Sequence, residues 1–429
     1  MRPSRNLALL CSAAFLRSAS IGLLGVVLAV YLSRTGFSAT AIGFVLAAGL
    51  AGNAAATAAT SRYGERVGRR RVLVAAAVVS SFGGLGLAFV HSASALIPLA
   101  FICMLNGMGT DRSTAFAVEQ AVIPGLVTDR GRTWALSWYN VVLDTSGALG
   151  ALAAALPVAI QNWTGAGLLP AYRWVFLFYT ALNLASATLY LFLDSQVESS
   201  AAPGLELAGS PISPATQRIV SRISALFALD SAGGGFLADA LLAYWFFHRF
   251  AVNEKELGLL FFLVRLLNGL SHLGAAWLAK RIGLVRTMVF THLPSSLFLL
   301  AVPLAPNFRI AAALLLMREA LVEMDVPTRQ SYVAAVVQPH ERMYASGITN
   351  LTRTGAWAVT VSAAGALMQH VAFSAPLVLG GGMKIVYDLL LYRSFRHLKP
   401  PEERPLHNAE LQTHLSSNPS PHLTKGKSL

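Results

Sequence analysis

The sequence has little charge and almost no cysteine, and each shortage removes a class of protein. Only 12% of its 429 residues are Asp, Glu, Lys or Arg, against about a quarter in a soluble domain, so an ordinary water-soluble fold is excluded. The two cysteines, Cys11 and Cys103, both lie inside apolar runs and leave no disulfide framework and no cysteine metal site. His407, His414 and His422 share no ligand spacing, so no metal is expected. A Gly-rich phosphate loop, a His-Glu-x-x-His pair and a nucleophile motif are all missing; the sequence predicts no enzyme and implies no cofactor.

What the chain does have is apolar length: 55% of it is hydrophobic, with a mean hydropathy of +0.57. A spanning helix takes about 20 residues, which leaves room for about twelve. Apolar windows place helices near 7–32, 41–61, 72–90, 95–123, 134–157 and 174–194, then 219–247, 257–279, 287–304, 309–337, 345–369 and 375–393. The run from Leu7 to Leu32 is too long for the core of a signal peptide and reads as the first span. The expected division is an N-terminal six-helix bundle at 1–194, a Ser-, Pro- and Gly-rich linker at 195–217, a second bundle at 218–396 and a disordered polar tail at 397–429.

A net charge of +13 could suggest nucleic acid, but the placement of Lys and Arg argues otherwise. Arg62, Arg66, Arg69, Arg70, Arg71, Arg130, Arg132, Lys280, Arg281, Arg286 and Arg342 fall in alternate loops on one side, with both termini. The other side carries little beyond Arg34, Arg173, Arg249, Lys255 and Arg309. The positive-inside rule then makes both termini cytoplasmic, in a cell inner membrane, with lipid rather than nucleic acid as the surrounding partner.

An internal repeat runs through the chain. Glu119-Gln120-Ala121-Val122, continuing through Arg132, Ala135 and Asn140, sets against Arg329-Gln330-Ser331-Tyr332, continuing through Arg342, Ala345 and Asn350. The offset is 210, since 329 − 119 and 350 − 140 agree. Glu65-Arg66-Val67-Gly68-Arg69 similarly matches Lys280-Arg281-Ile282-Gly283-Leu284. Two parallel units related by an axis along the membrane normal are expected.

Arg62-Tyr63-Gly64-Glu65-Arg66-Val67-Gly68-Arg69-Arg70-Arg71 resembles the signature loop of the major facilitator superfamily, Gly-x-x-x-Asp-Arg-x-Gly-Arg-Arg. Together with twelve spans and the repeat, the resemblance covers about residues 7–395. It implies an all-α membrane protein of two pseudo-symmetric six-helix bundles, monomeric, rocking about a cavity lined by spans one, four, seven and ten. Glu65 stands where the family has Asp, and Ser61 where it has Gly. The span-four arginine of proton antiporters would fall near Cys103 and is absent, and the span-five antiporter motif is reduced to Gly147-Ala148-Leu149-Gly150; export by antiport has no motif support. Met324 to Tyr332 and Thr291 to Ser295 look like a bacterial branch.

A charge at the bilayer centre costs roughly 2.5–3.5 kcal/mol even on the lenient insertion scale, so each needs a partner, a wet cavity or a role. Arg17, Asp111, Arg112, Asp230, Glu319 and Glu323 are the candidates for a substrate or proton cavity. Gating is expected at Glu65, Arg66, Gly68, Arg69, Glu119, Arg329 and Arg353. Arg112 is expected to approach Glu323 across the axis, and Glu119 to meet Arg329 when the inner gate closes. The other reading makes Arg112, Glu319, Glu323, Asp144, Arg353, Lys384 and Asp388 structural ion pairs. Gly233-Gly234-Gly235 reads either as a broken cavity helix or as close packing, and Tyr244 to Phe247 as an interfacial aromatic belt. The expected function is secondary active transport of a small solute by alternating access, coupled to protons. The alternative is a non-transporting membrane sensor or assembly factor on the same scaffold.

Overall fold

A computed structural model describes residues 5–90, 92–127, 129–199, 213–325, 329 and 342–395. Most of the expected linker and the whole tail therefore lie outside the described residues. The helices follow from apolar runs punctuated by caps: α1 is Arg5–Arg34, α2 Ala39–Val67, α3 Arg69–Phe89, α4 Ala93–Cys103, α5 Thr114–Val122, α6 Asp129–Leu152, α7 Leu156–Thr164, α8 Leu168–Leu191 and α9 Gln196–Ser199. The second half holds α10 Pro214–Gly235, α11 Asp239–Phe250, α12 Glu254–Ile282, α13 Leu284–Ala301, α14 Phe308–Val322, α15 Arg342–His370 and α16 Ala375–Phe395. Ser38, Ser213 and Asn307 each accept a first-turn amide of the following helix, and Asn253 with Glu256 forms a reciprocal capping box on α12.

These elements make twelve spans in two six-helix bundles. α4 with α5 forms the fourth span, α6 with α7 the fifth, and α10 with α11 the seventh. Among the described residues, eight stretches are long and apolar enough to cross a membrane by composition alone. The four spans outside that set bring in Asp111, Arg112, Arg265, Arg318, Glu319 and Arg353. Their low hydropathy is the cost of polar groups held inside the bundle, where protein rather than lipid satisfies them.

The repeat is visible as packing. α1 lies against α6 and α8, α3 against α8, and α2 against α4; in the second half α10 lies against α15 and α16, α13 against α16, and α12 against α14. The signature turn recurs too. Gly68 and Gly283 sit at φ +98° and +89°, each as the single residue between two helices, with its N–H on a carbonyl four residues back, Gly64 or Ala279. A side chain is disfavoured in that conformation, which is why glycine stands at both positions.

The halves touch through α2 with α15, α6 with α12, and α1 with α11. They come close at Gly365, where a Cβ would lie 2.1 Å from the Ala39 carbonyl oxygen. Trp245 and Phe246 are fully buried and pack on Phe250, Phe308 and Phe373. Tyr244, Trp245 and Phe246 of α11 are therefore core rather than the interfacial belt their sequence suggests, because the neighbouring helices enclose them.

Candidate functional site

Two spans are broken at mid-depth. The fourth unwinds from Met104 to Ser113, with Met104 and Gly109 at φ +55° and +73°. Its backbone polar groups are met by protein, as lipid requires. Asn53 of α2 donates to the Arg112 carbonyl (3.0 Å) and accepts from the Thr114 N–H (3.1 Å). Asn106 donates to the Thr110 carbonyl (2.9 Å) and accepts from the Met108 N–H (2.8 Å). The seventh span breaks between Gly235 and Asp239. Gly235 also packs so closely that a Cβ would lie 2.0 Å from Thr360 Oγ1, so both readings of the glycine run hold. The two breaks meet: the Ala240 N–H donates to the Gly107 carbonyl at 3.0 Å. Arg265 bonds Asp239 and reaches the Met108 carbonyl at 3.3 Å.

Each half encloses its own ion cluster. In the first, Arg17 Nε donates to Asp111 Oδ2 at 2.8 Å, and its Nη2 to Glu119 Oε2 at 2.6 Å. Arg17 also bonds Tyr190. Tyr139 and Tyr190 donate their hydroxyls to Glu119 at 2.6 and 2.7 Å. Glu119 has no exposed surface, and Arg17 keeps 5%. In the second half, Asp230 accepts from Arg329 Nη1 (2.9 Å) and Lys384 Nζ (2.8 Å). Lys384 lies 3.4 Å from His292 Nε2, and His292 Nδ1 lies 2.9 Å from Asp388. Arg329 further pairs with Asp325 at 3.4 Å.

The clusters are related by the repeat but inverted in sign. The first span of one half carries the cation and the fourth the carboxylates; in the other half the first span, α10, carries the carboxylate and Arg329 the cation. This corrects the expected Glu119–Arg329 gate: each residue is buried against a partner in its own half, because the opposite polarity lets each half close its own pair. Arg112, expected to approach Glu323, is exposed and lies over the Phe116 ring (5.6 Å) of its own half. Glu319 pairs with its neighbour Arg318, and Glu323 is half-buried beside them. Arg353, expected at a gate, lies within the spans, donating to Ser231 Oγ at 3.1 Å with its guanidinium over Trp357. Tyr139, Tyr190, Asn53 and His292 were not singled out as site residues by sequence reasoning. The signal for His292 was present, a histidine in an apolar run, but its partner lies 96 residues away.

The signature loop is tied to the end of the first bundle. Glu198 of α9 accepts the Arg69 N–H (2.7 Å) and the Arg70 N–H (3.1 Å) at the start of α3, where a carboxylate suits the unpaired amides. Beside it, hydrogen bonds from Asn6 and from the Gln196 N–H hold the Asp194 carboxyl below its usual range. Arg66 is exposed, and the Glu65 side chain lies outside the described residues. A Cβ at Gly68 would sit 3.2 Å from the Glu198 carboxylate. Gly68→Leu is therefore expected to slow exchange between open and closed arrangements while ligand affinity stays within about threefold, under about 1 kcal/mol. Separate measurement of transport rate and equilibrium binding checks this; a large affinity loss would contradict it.

Between described residues, each hydrogen bond linking the halves lies from the midplane to the face opposite the termini. Arg34 bonds Glu254 (2.7 Å), Ser33 meets His248 (2.6 Å), the Thr40 N–H reaches Gln369 (3.1 Å), and Tyr172 bonds Glu254. The molecule is closed there.

Two pseudo-symmetric helical bundles, shut on one face around broken central spans, define a polytopic membrane protein of transporter architecture. The sequence pattern of the Major Facilitator Superfamily matches residues 10–317 and again 223–425, and the chain belongs to that superfamily. An uncharacterized membrane protein of Saccharomyces cerevisiae is 25% identical over 418 residues, covering 90% of this chain and 93% of that one. A yeast relative gives no support to a bacterial branch. In structure the chain is similar to the inward-open xylose transporter XylE from E. coli, at TM-score 0.71 and 15% identity, covering 95% of this chain and 99% of that one. It is also similar to the nucleoside transporter NupG, at TM-score 0.70 and 12% identity, covering 92% of this chain and 100% of that one. Those likenesses establish the fold.

Proposed function

We propose that this chain is a secondary active transporter of a small solute, working by alternating access with both termini cytoplasmic. The observation that carries the reading is the one-sided closure: among the described residues, the hydrogen bonds between the two bundles gather from the midplane to the face away from the termini. Rocking about the broken spans exchanges that face for the other without exposing either ion cluster. Proton coupling is the second part of the reading, supported by the Asp388–His292–Lys384–Asp230–Arg329 chain. In it a histidine and a carboxylate that no arginine neutralises are linked by hydrogen bonds and close contacts to the first span of the second half.

The test combines flux and topology. In vesicles with an acid exterior, one member of a small-solute library should accumulate and be released by a protonophore. A Ser33→Cys/His248→Cys pair, oxidised, should stop that accumulation, and reductant should restore it. A single cysteine at Ser92 should react with an impermeant thiol reagent outside the cell, and one at Ser61 should not. No pH-driven accumulation of any solute, together with an oxidised pair that changes nothing, would overturn the mechanism; the reverse labelling pattern would overturn the orientation.

A further inference from the structure

Where α3 begins and α8 ends, on the face of the termini, the two helices border a cleft of about 890 Å³ that the transport reading leaves unused. Three guanidiniums line it, Arg66 before the Gly68 turn and Arg70 and Arg71 after it. Among the described residues no carboxylate pairs with any of these three side chains. The two carboxylates at the cleft are engaged by other groups. Glu198 accepts the Arg69 and Arg70 amides at 2.7 and 3.1 Å, while Asp194 accepts from Asn6 Nδ2 at 2.6 Å and from the Gln196 N–H at 2.9 Å. Arg5 brings a further cation to the same end of α8, bonded to the Phe192 carbonyl at 3.4 Å.

The rest of the cleft is apolar: Val74, Ala75 and Val78 of α3 line it together with Leu191 of α8. At about 100° per residue, Arg71, Ala75, Val78 and Phe82 fall within about 60° of one another on α3. Ala75 and Phe82 on that stripe, and Leu184 and Leu191 on α8, are exposed at membrane depth, where the surface they offer meets lipid. A stripe that starts at a cation and continues through apolar positions into the span has the profile of a phospholipid rather than of a soluble anion. A headgroup oxyanion takes charge-assisted bonds from the guanidiniums while an acyl chain covers the stripe. With Glu198 and Asp194 engaged, nothing in the cleft is left to receive the ammonium of a zwitterionic headgroup, so net negative charge is selected. The repeat supplies a comparison. Arg66 and Arg71 recur as Arg281 and Arg286, since 281 − 66 and 286 − 71 both give 215, but Arg70 is replaced by the buried Val285 and Arg69 by Leu284. The triple cluster is thus a property of the first half.

We infer that this cleft holds one anionic phospholipid, its phosphodiester among Arg66, Arg70 and Arg71 and an acyl chain along the α3 stripe. The headgroup then spans residues on both sides of the Gly68 turn and ties the signature loop to the end of the first bundle. That the lipid belongs to the cytoplasmic leaflet follows from the orientation proposed above; the binding itself does not depend on transport. The full-length protein, purified and delipidated in a neutral maltoside detergent, is titrated with dioleoyl phosphatidylglycerol, dioleoyl phosphatidylcholine and inorganic phosphate. Its melting temperature and the lipid retained in native mass spectrometry are followed. Phosphatidylglycerol should raise the melting temperature saturably and leave one tightly retained molecule per chain, and neither phosphatidylcholine nor phosphate should do so. Arg66→Gln combined with Arg71→Gln should weaken retention by about tenfold or more, while Arg286→Gln, at the matching position of the second half, should stay within about twofold of the parent. Arg66 and Arg71 are exposed, so without lipid the double variant should melt with the parent; if it does not fold, Arg71→Gln alone must still weaken retention. Equal retention of phosphatidylcholine, or an equal response to inorganic phosphate, would overturn the inference. So would a loss on Arg286→Gln as large as that of the double variant, which would reduce the effect to diffuse attraction by a basic face. Flux is not among the readouts, so the inference stands or falls apart from the transporter reading.

Discussion

Arg17→Gln should lower the stability of the whole protein by about 3–5 kcal/mol, because it leaves two buried carboxylates facing each other without their cation. Asp111 and Glu119 both depend on that guanidinium, and their side chains are at most 1% exposed, so water cannot take its place. The tyrosine hydroxyls on Glu119 remain, but they donate neutral hydrogen bonds and do not remove charge. At roughly 2–4 °C per kcal/mol for a unit of this size, the melting temperature of the purified protein should fall by about 6–20 °C. Glu119→Gln keeps an acceptor for the tyrosines and leaves Arg17 with Asp111, so it should cost less. If Arg17→Gln melts within about 2 °C of the parent, the cluster is not the energetic unit its geometry describes.

Charge reversal across the axis should fail to rescue. Glu119→Arg places a second cation against Arg17, and Arg329→Glu a third carboxylate beside Asp230 and Asp325. Each error is confined to its own half, so the double variant should fold and transport no better than the worse single variant, each single losing about 3–5 kcal/mol. Yield of folded protein from membranes and any flux found for the parent are the readouts. Recovery in the double variant would mean that the two side chains meet in the outward-facing arrangement and that the buried pairs described above break to allow it.

Much of the architecture is legible in the sequence because it is written twice. Gly68 and Gly283, and the chain-order match of Glu119 with Arg329, locate the two bundles before any coordinate. What the repeat cannot convey is which equivalent positions touch. Arg17 and Glu119 are 102 residues apart and Asp230 and Arg329 are 99; only packing brings them together, and the inverted polarity turned a plausible contact across the axis into two contacts within the halves. The break in the fourth span has a local signal in Asn106-Gly107-Met108-Gly109, whose asparagine and two glycines weaken a helix there. The Tyr244 to Phe247 cluster reads as an interface from sequence because an aromatic run looks the same in a core and at an interface.

The fourth span also has consequences while the protein is being made. Eleven apolar residues followed by a polar break and nine more do not favour insertion on their own, and Asp111 and Arg112 oppose it further. Arg17 meanwhile leaves the ribosome 94 residues ahead of Asp111, roughly 5–20 s of synthesis at ordinary elongation rates. During that interval the first span holds an unpaired cation, and the fourth arrives as the segment that can neutralise it. The early helix therefore carries the cation that a later helix, too polar to favour insertion alone, needs as its partner.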